Sequence, residues 1–369
     1  MMRLFVDLSL TVQTGAGSAL YAWEICHRLM RLGHAQQVLP MTCPFRTLGR
    51  VGIPRKMQAL LRDLLWRPFL SGLEAQEQDC FLFINAFVPR RFLNRKYAVV
   101  VLDLGAWHDR SILSWRGRLG TRTMPRVLTG AQHVFAISDS TADDLVREFN
   151  IPRKDIVLAP CGLSDAYARP CSGHAAVVNG ISLPECYVLH VGSFEPKKNI
   201  KFLLDVFQEM RSQATRTENS RAGNCKLLLT GAESWRDQGL REALAAHPLT
   251  RDIIILGRVE AADLPGLYGQ ASALVFPSAL EGFGLPVIEA LSQGTPVLVQ
   301  RNSSLTQFGR FGATVFDAFD TPLWASRLLD IISQRQRLPD THIQAVRATF
   351  SWDRTARTIL ETMLPCASA

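Results

Sequence analysis

Short apolar runs of strand length alternate with segments of helical periodicity along almost the whole chain. In the first half the runs are RLFVDLSL, KYAVVVLDL and HVFAIS, and in the second half they are CYVLHVGS, KLLLTGA, DIIILG, ALVFPS and TPVLVQ. Buried strands separated by helical stretches are typical of βαβ units and parallel sheets. The pattern therefore predicts the α/β class, with one block of such units in each half.

The length of the chain and its composition predict two domains. At 369 residues the chain exceeds what one hydrophobic core usually serves. The segment Cys161–Pro184 is rich in Gly, Pro, Ser and Ala and is the natural linker. We predict an N-terminal domain over residues 1–170, a second domain over 184–340, and C-terminal helices over 341–369 that close the structure. Since open α/β sheets bind ligands at the carboxyl ends of their strands, we expect two Rossmann-like domains facing across a cleft.

Several classes of protein are disfavoured by simple features of the sequence. No apolar run reaches the roughly 18 residues needed to span a bilayer. The opening MMRLFVDLSL lacks the basic segment and cleavage site of a signal peptide. The eight cysteines show no metal-ligand spacing, so we expect reduced thiols, no zinc site and a cytoplasmic protein.

The excess positive charge is confined to the N-terminal half. Residues 1–183 hold 22 Lys and Arg against 14 Asp and Glu, whereas residues 184–369 hold 19 of each. Apolar side chains are interleaved with the basic ones, as in MQALLRDLLWRPFL. Such a surface is either a solvated basic face or one that meets anionic lipid headgroups or a pyrophosphate-bearing acceptor. A nucleic-acid-binding protein is disfavoured, because no RNA- or DNA-binding motif accompanies the charge.

The segment SALEGFGLPVIEAL, residues 278–291, follows the strand ALVFP directly. Gly282 and Gly284 let backbone N–H groups approach a ligand, and Pro286 is suited to the first turn of a helix. A helix that begins at the sheet edge favours anions, so a diphosphate fits near it. Glu281 in the loop and Glu289 about one turn into the helix are placed to accept hydrogen bonds from sugar hydroxyls.

The segment HVGSFEPKKNI, residues 190–200, is a second strand that ends in a turn and opens a helix near Asn199. Lys197 and Lys198 put positive charge at the carboxyl edge of the sheet, where phosphates bind. The alternative is a solvated turn that carries two lysines.

These segments together resemble the E-x7-E signature of retaining glycosyltransferases of family four, which have the GT-B fold. The resemblance covers nearly the whole chain and is strongest over about residues 186–320. It implies that Glu289 holds the ribose of a nucleotide-sugar donor and that Lys198, with Lys197, clamps its diphosphate. It also implies a set of contacts to the donor around the sugar and the strand end, namely Glu281, Gly282, Phe283, Gly284, Leu285, Gly192 and Ser193. Many relatives carry an Arg where this chain has Ser193.

The resemblance also extends to the N-terminal half. The stretch LTVQTGAGSALYAWEI resembles the family's Gly-rich loop, so Gly15 and Gly17 are expected to reach an acceptor or a donor phosphate. Relatives often have a His before the Asp that ends a strand; here Leu102 takes the His position, Asp103 is retained and His108 follows in the loop. The resemblance implies Asp103 and His108, beside Glu281 and Lys198, as catalytic residues. In SDSTADDL, Ser138 and Ser140 are expected to cap a helix.

No D-x-D sequence is present, so we expect no metal and no cofactor. Lysines and a helix N-terminus are then left to neutralise the leaving group. The family retains anomeric configuration and no nucleophile stands out, so we expect same-face attack by an acceptor hydroxyl with domain closure.

The resemblance is closest to transferases that build bacterial surface polysaccharide, which favours mannose from GDP-mannose as the donor. The basic half favours a lipid-linked acceptor and peripheral association with the inner face of the plasma membrane. Two alternatives remain open: a nucleotide-sugar-binding scaffold without turnover, suggested by Leu102 and Ser193, and a GT-B nucleotide-sugar epimerase.

Overall fold

The computed structural model describes residues 2–9, 17–33, 37–43, 57, 60–61, 64–66, 74–108, 115–169, 177–231 and 238–364. The described residues form two compact units. The first draws on Met1–Gly162 and Ser351–Ala369, and the second on Leu163–Phe350. In each unit helices flank a parallel sheet, so the predicted α/β class is confirmed.

The described residues of the first unit form a sheet of six parallel strands in the order β2-β1-β3-β4-β5-β6. The strands are β1 (Leu4–Asp7), β2 (Val38–Met41), β3 (Cys80–Phe83), β4 (Lys96–Val101), β5 (His133–Ala136) and β6 (Ile156–Leu158). Residues 97–101 of β4 are all buried. Burial of both faces of a central strand explains why the run KYAVVV shows no alternation of apolar and polar residues.

Among the described residues of the first unit, four helices lie between these strands. They are α1 (Gly17–Leu32), α2 (Gly105–His108), α3 (Trp115–Gly130) and α4 (Asp139–Phe149). Helix α4 begins at Ser138, whose hydroxyl accepts a hydrogen bond from the backbone N–H of Thr141 at 3.1 Å. The predicted cap at Ser138 is therefore confirmed, whereas Ser140 lies inside the first turn and is not the cap. Asn150 ends the helix in the left-handed conformation, with φ 54°.

The sheet of the second unit also has six parallel strands, in the order β11-β10-β9-β12-β13-β14. A short antiparallel pair, β7 (Val177–Val178) and β8 (Ile181–Ser182), precedes it. The sheet strands are β9 (Tyr187–Val191), β10 (Lys226–Thr230), β11 (Ile253–Gly257), β12 (Ala273–Phe276), β13 (Val297–Gln300) and β14 (Thr314–Phe316). Numbered within the unit this is the order 3-2-1-4-5-6 of a dinucleotide-binding sheet.

In the part of the second unit that the structure describes there are seven helices. They are α5 (Ile200–Arg216), α6 (Ser220–Gly223), α7 (Gln238–Ala246), α8 (Leu264–Gln270), α9 (Leu285–Ser292), α10 (Thr321–Ser333) and α11 (Asp340–Thr349). Helices α5 and α10 pack on each other over one face of the sheet. The indole of Trp324 stacks on Phe316 at 4.3 Å and meets Phe202 edge-on at 5.3 Å between ring centroids. These large rings fill the core that supports β9 and β12.

The last helix, α12 (Trp352–Met363), belongs to the first unit. Its buried residues recur at helical spacing, which is the amphipathic pattern of a helix that covers a core. It packs on α1, where Arg28 binds Asp353 at 2.9 Å and Tyr21 meets Trp352 edge-on at 5.3 Å. The two closing helices expected after residue 340 are thus present, with α11 in the second unit and α12 in the first.

Gly162 is required by a close approach of two backbones. A Cβ at this position would lie 2.1 Å from the backbone nitrogen of Trp352. The position therefore requires a residue without a side chain.

The predicted linker, Cys161–Pro184, is not simply an extended connection. It contains a 3-10 turn, Asp165–Tyr167, and the strands β7 and β8. Within the described part of the chain, no helix is both long enough and apolar enough to cross a membrane.

Candidate functional site

The two segments singled out in the sequence meet at the topological switch point of the second sheet. Strands β9 and β12 are neighbours, but the chain leaves them in opposite directions, toward β10 on one side and β13 on the other. Loops that follow such a pair of strands diverge and leave a crevice at the carboxyl edge, where ligands of this sheet type bind. The loops after β9 and β12 carry HVGSFEPKKNI and SALEGFGLPVIEAL.

Lys198 and Glu281 form an ion pair that joins these two loops. Both side chains are only 12% exposed. The ammonium of Lys198 also lies 4.9 Å from the centre of the Phe276 ring, at the end of β12. The backbone supports the same link, because the N–H of Ala279 donates to the carbonyl of Lys197 at 2.8 Å. The structure thus brings together the two residues that the sequence assigned to diphosphate and sugar.

The turn that presents Lys198 has a defined local cause. Pro196 begins a 3-10 turn, and Asn199 ends it in the left-handed conformation with φ 53°, which asparagine tolerates better than most residues. Helix α5 then starts at Ile200. Lys197 is about half exposed and lies 3.6 Å from Glu195.

The loop after β12 is fixed by the hydroxyl of Ser304, which donates to the carbonyls of Glu281 at 3.0 Å and Phe283 at 3.1 Å. The Phe283 ring is turned into the core, against Phe308 and Phe350 at centroid distances of 5.7 and 5.6 Å. Only the backbone of Phe283 is therefore left for a ligand contact.

Gly284 is the residue from which helix α9 starts, with φ +104°. A Cβ there would also lie 2.7 Å from the Leu305 side chain. Pro286 is in the first turn, where its missing N–H costs nothing. The predicted order of glycine loop, proline and helix start is confirmed. Gly282 and Leu285 are half-buried beside it.

Glu289 makes a separate set of contacts on the other side of α9. The hydroxyl of Tyr268 donates to its carboxylate at 2.7 Å, and the hydroxyl of Tyr167 forms a second hydrogen bond. Both tyrosines are buried, whereas a small part of Glu289 reaches the surface. Burial raises the pKa of Glu289 to about 7, and the two hydrogen bonds act in the opposite direction. This carboxylate is therefore close to its protonation midpoint at neutral pH.

His190, on β9, is fully buried and stands next to the ion pair. Its Nδ1 lies 3.1 Å from the carbonyl of Val275, which must accept, so Nδ1 carries the proton. Burial lowers the pKa of His190 to about 4, which leaves Nε2 as an unprotonated acceptor. Among the described residues Nε2 has no hydrogen-bond partner. A Cβ on Gly192 would lie 3.5 Å from this Nε2 and 3.6 Å from Lys198 Cε, so the glycine keeps the space between them open.

Two further buried polar side chains lie at the carboxyl ends of neighbouring strands. Ser278 Oγ follows β12, and Gln300 Oε1 is the last side chain of β13. Both are buried without a hydrogen-bond partner in the described part of the chain. Three adjacent strands thus end in buried polar groups that a hydroxyl-rich ligand could satisfy.

The candidate residues of the first unit lie at the carboxyl ends of its own sheet. Asp103 is exposed after β4 and accepts a hydrogen bond from the N–H of Gly105 at 3.0 Å. His108 ends α2, 37% exposed, with Nε2 3.8 Å from a carboxylate oxygen of Asp144. Gly17 is the first residue of α1. Gly15 lies outside the described residues.

Sequence reasoning missed Tyr167, Tyr268 and His190. Tyr167 lies in the segment interpreted as a linker, and Tyr268 lies in a helix that no motif marks. His190 belongs to a quoted strand, where a histidine inside a buried apolar run was the signal available.

Comparison with known proteins places these residues in a family context. Residues 176–340 match the family described as glycosyl transferases group 1. That range contains Lys198, Glu281 and Glu289.

Two curated relatives extend the similarity beyond this range. The O-antigen chain mannosyltransferase B of Escherichia coli is 29% identical over 283 residues, which are 74% of this chain and 71% of that protein. The D-inositol 3-phosphate glycosyltransferase of Rhodococcus opacus is 32% identical over 251 residues, which are 63% of this chain and 54% of that protein. The chain thus spans about half the length of the second relative.

Among solved structures, HepE of Anabaena in complex with UDP superposes with a TM-score of 0.66 at 15% identity, over 98% of this chain and 99% of that chain. At that identity the likeness concerns the fold alone. Together with two parallel-sheet units, it confirms the predicted fold class. The chain therefore has the GT-B fold and resembles the group 1 glycosyltransferases, as its E-x7-E segment predicts.

Proposed function

We propose that this chain is a retaining, metal-independent glycosyltransferase that moves a hexose from a nucleotide-sugar donor to a polysaccharide or oligosaccharide acceptor. The observation that carries the proposal is the Lys198–Glu281 pair at the switch point of the second sheet. A cation for phosphate and a carboxylate for hydroxyls stand side by side where such sheets bind nucleotides.

Each part of the donor has a proposed set of partners. Lys198, with Lys197 beside it, binds the diphosphate. The carboxylate of Glu281 and the backbone from Gly282 to Leu285 bind the sugar hydroxyls. Glu289 binds the ribose, and Gly192 and Ser193 line the strand end near the phosphates.

Catalysis in this proposal consists of stabilising the departing diphosphate. Its charge is met by Lys198 and by the N-terminus of α9, and preorganised groups of this kind are worth several kcal/mol at a developing anion. The acceptor hydroxyl attacks the donor sugar on the same face from which the leaving group departs. Asp103 and His108 of the first unit are the proposed catalytic residues on the acceptor side.

The donor and the acceptor are proposed from the relatives and from the charge. The first relative above is named an O-antigen chain mannosyltransferase, which favours mannose from GDP-mannose and a surface polysaccharide. The excess positive charge lies in residues 1–183, which favours a lipid-linked acceptor and a cytoplasmic protein at the inner face of the plasma membrane.

The test is a screen of donor binding and hydrolysis in EDTA with GDP-mannose, UDP-glucose, UDP-galactose, UDP-N-acetylglucosamine and GDP-fucose. It compares the wild type with Glu281→Gln. The matched control is Glu209→Gln, which removes a partly exposed carboxylate that pairs with Arg216 at 2.8 Å on α5. We expect one donor to turn over without metal, Glu281→Gln to abolish turnover and Glu209→Gln to leave it unchanged.

Other outcomes favour the alternatives. Tight donor binding without hydrolysis or transfer indicates a nucleotide-sugar-binding scaffold. Conversion of the donor sugar to an epimer indicates a GT-B epimerase. Activity that EDTA abolishes and Mg²⁺ or Mn²⁺ restores contradicts metal independence.

A further inference from the structure

Glu289 is held by two phenols that come from different parts of the second unit. Tyr268 lies in α8, and Tyr167 lies in the 3-10 turn that precedes the whole sheet. Their rings are 6.1 Å apart, and both hydroxyls bond the same carboxylate. A convergence of two buried donors on one acid fixes the acid in place more firmly than either could alone.

The hydrogen-bonding capacity of the site leaves room for a ligand. A carboxylate has about four lone-pair positions, and the two phenols use two of them. Burial raises the pKa of both tyrosines, so they remain donors throughout the neutral range. The positions that remain suit a pair of neighbouring hydroxyls, provided that the acid is ionised.

We propose that Tyr167 and Tyr268 are positioning residues that hold the Glu289 carboxylate ionised and in one orientation for the ribose hydroxyls of a nucleoside diphosphate. The inference rests on the proposed function, since it deepens the role of the same site. The phenols do not touch the ligand; they act through Glu289.

Few other ionisable groups face Glu289 from the elements around it. The strands β12 and β13 carry none, and α8 carries only Tyr268. Arg347 of α11 donates to the carbonyl of Ser292 at 2.6 Å, at the far end of α9. The remaining ionisable groups on the packed elements are Asp165, Arg310, Asp340 and His342. Among these groups the two phenols are the ones that hydrogen-bond Glu289, and they oppose the rise in its pKa that burial causes.

The experiment measures the affinity of UDP and GDP between pH 5.5 and pH 9 by calorimetry. The variants are Tyr268→Phe, Tyr167→Phe and, as a matched control, Tyr187→Phe. Tyr187 is a buried tyrosine of the same unit whose hydroxyl donates to the carbonyl of Leu267 at 2.7 Å. Its loss removes one buried hydrogen bond without touching Glu289.

We expect wild-type affinity for the bound nucleotide to fall as the pH drops through about 7, where Glu289 takes up a proton. Loss of a phenol removes a hydrogen bond that favours the ionised form of Glu289. The midpoint of the fall in affinity with pH should therefore rise by about one pH unit. At pH 7 the affinity should then be about fivefold lower, because the ionised fraction of Glu289 falls from about one half to about one tenth. Tyr187→Phe should keep the wild-type midpoint.

A second arm uses the 2′-deoxy form of the nucleotide that binds. Without that hydroxyl the contact to Glu289 is weakened in every variant, so Tyr268→Phe should cost less affinity for the deoxy nucleotide than for the ribonucleotide. Tyr167→Phe gives the same test if Tyr268→Phe fails to fold.

Midpoints that do not differ between the phenol variants and Tyr187→Phe would overturn the inference while leaving the proposed function intact. An equal loss for both forms of the nucleotide would do the same. Failure of the wild type to bind either nucleotide at any pH would overturn the proposed function and this inference with it.

Discussion

Lys198 and Glu281 lie 83 positions apart in the sequence and form an ion pair at the carboxyl edge of the second sheet. Each is a residue that we propose binds the donor, and each is engaged by the other. Binding of a diphosphate beside Lys198 must therefore compete with Glu281. The pair links the stability of the two loops to their capacity to bind a ligand.

Replacing Lys198 by Met removes the cation beside Glu281, whose side chain is only 12% exposed. We expect the free energy of unfolding to fall by about 3 kcal/mol, because the carboxylate loses its main compensation for burial. The double variant Lys198→Met, Glu281→Gln should regain most of that loss. Urea denaturation measures both, and a double variant as unstable as the single one would show that the pair has no such role. Neither variant should bind a nucleotide-sugar donor.

Acid should destabilise the second unit through His190. The pKa of this histidine is about 4 in the folded protein and 6.5 in an unfolded chain. The unfolded state therefore binds more protons at this position, and the contribution of His190 to stability is lost as the pH falls from about 6.5 to 4, by about 3 kcal/mol. Glu289, whose pKa burial raises to about 7, acts in the opposite direction, because its folded form takes up a proton before the unfolded chain does. Urea denaturation at pH 7.5 and pH 4.5, with hydrogen exchange of β9, measures the loss.

The variant His190→Gln cannot take up this proton, so its free energy of unfolding relative to the wild type should rise by about 2 to 3 kcal/mol between pH 7.5 and pH 4.5. His108→Gln, which removes a partly exposed histidine of the first unit, is the control and should keep the wild-type slope. Equal slopes in all three proteins would contradict the assignment of the acid sensitivity to His190.

A side chain at position 284 should disturb the start of α9. Gly284→Ala forces a Cβ into a backbone with φ +104° and to 2.7 Å from Leu305. We expect a loss of about 2 kcal/mol in unfolding free energy, together with weaker donor binding. Gly223→Ala is the control, because a Cβ there meets nothing within 4 Å. A thermal melt in which both variants behave alike would argue against strain at Gly284.

Gly162→Ala should loosen α12 from the first unit. The added Cβ would lie 2.1 Å from the backbone nitrogen of Trp352, a contact that only a shift of the helix can relieve. Hydrogen exchange should show faster exchange in α12, with β9 of the second unit as the internal reference. Unchanged protection of α12 would mean that the backbone accommodates the methyl group.

The sequence predicted correctly those features of the fold that a few neighbouring residues decide. The apolar run KYAVVV predicted a buried parallel strand, because burial of both faces leaves no polar alternation. Gly284 and Pro286 predicted the loop and helix start, because backbone conformation at those positions depends on the residue type alone. The family resemblance of the E-x7-E segment added the expected roles of Glu281 and Glu289.

Other features depended on residues far apart in the chain. Because Cys161–Pro184 was interpreted as a linker, Tyr167 was not predicted as a site residue. Composition cannot show that this tyrosine packs against Tyr268. The Phe283 ring was turned into the core by Phe308 and Phe350, which a loop motif cannot indicate.

By itself the sequence determined the α/β class, the strands with long apolar runs and the glycine-rich loop before α9, because periodicity and glycine or proline geometry are local; β2, β3, β6 and β14 were not predicted. Only the tertiary structure decided which charges meet and which acids are buried. The ion pair of Lys198 and the pKa of Glu289 follow from distance and desolvation, and both quantities exist only once β9, β12 and α8 are packed together.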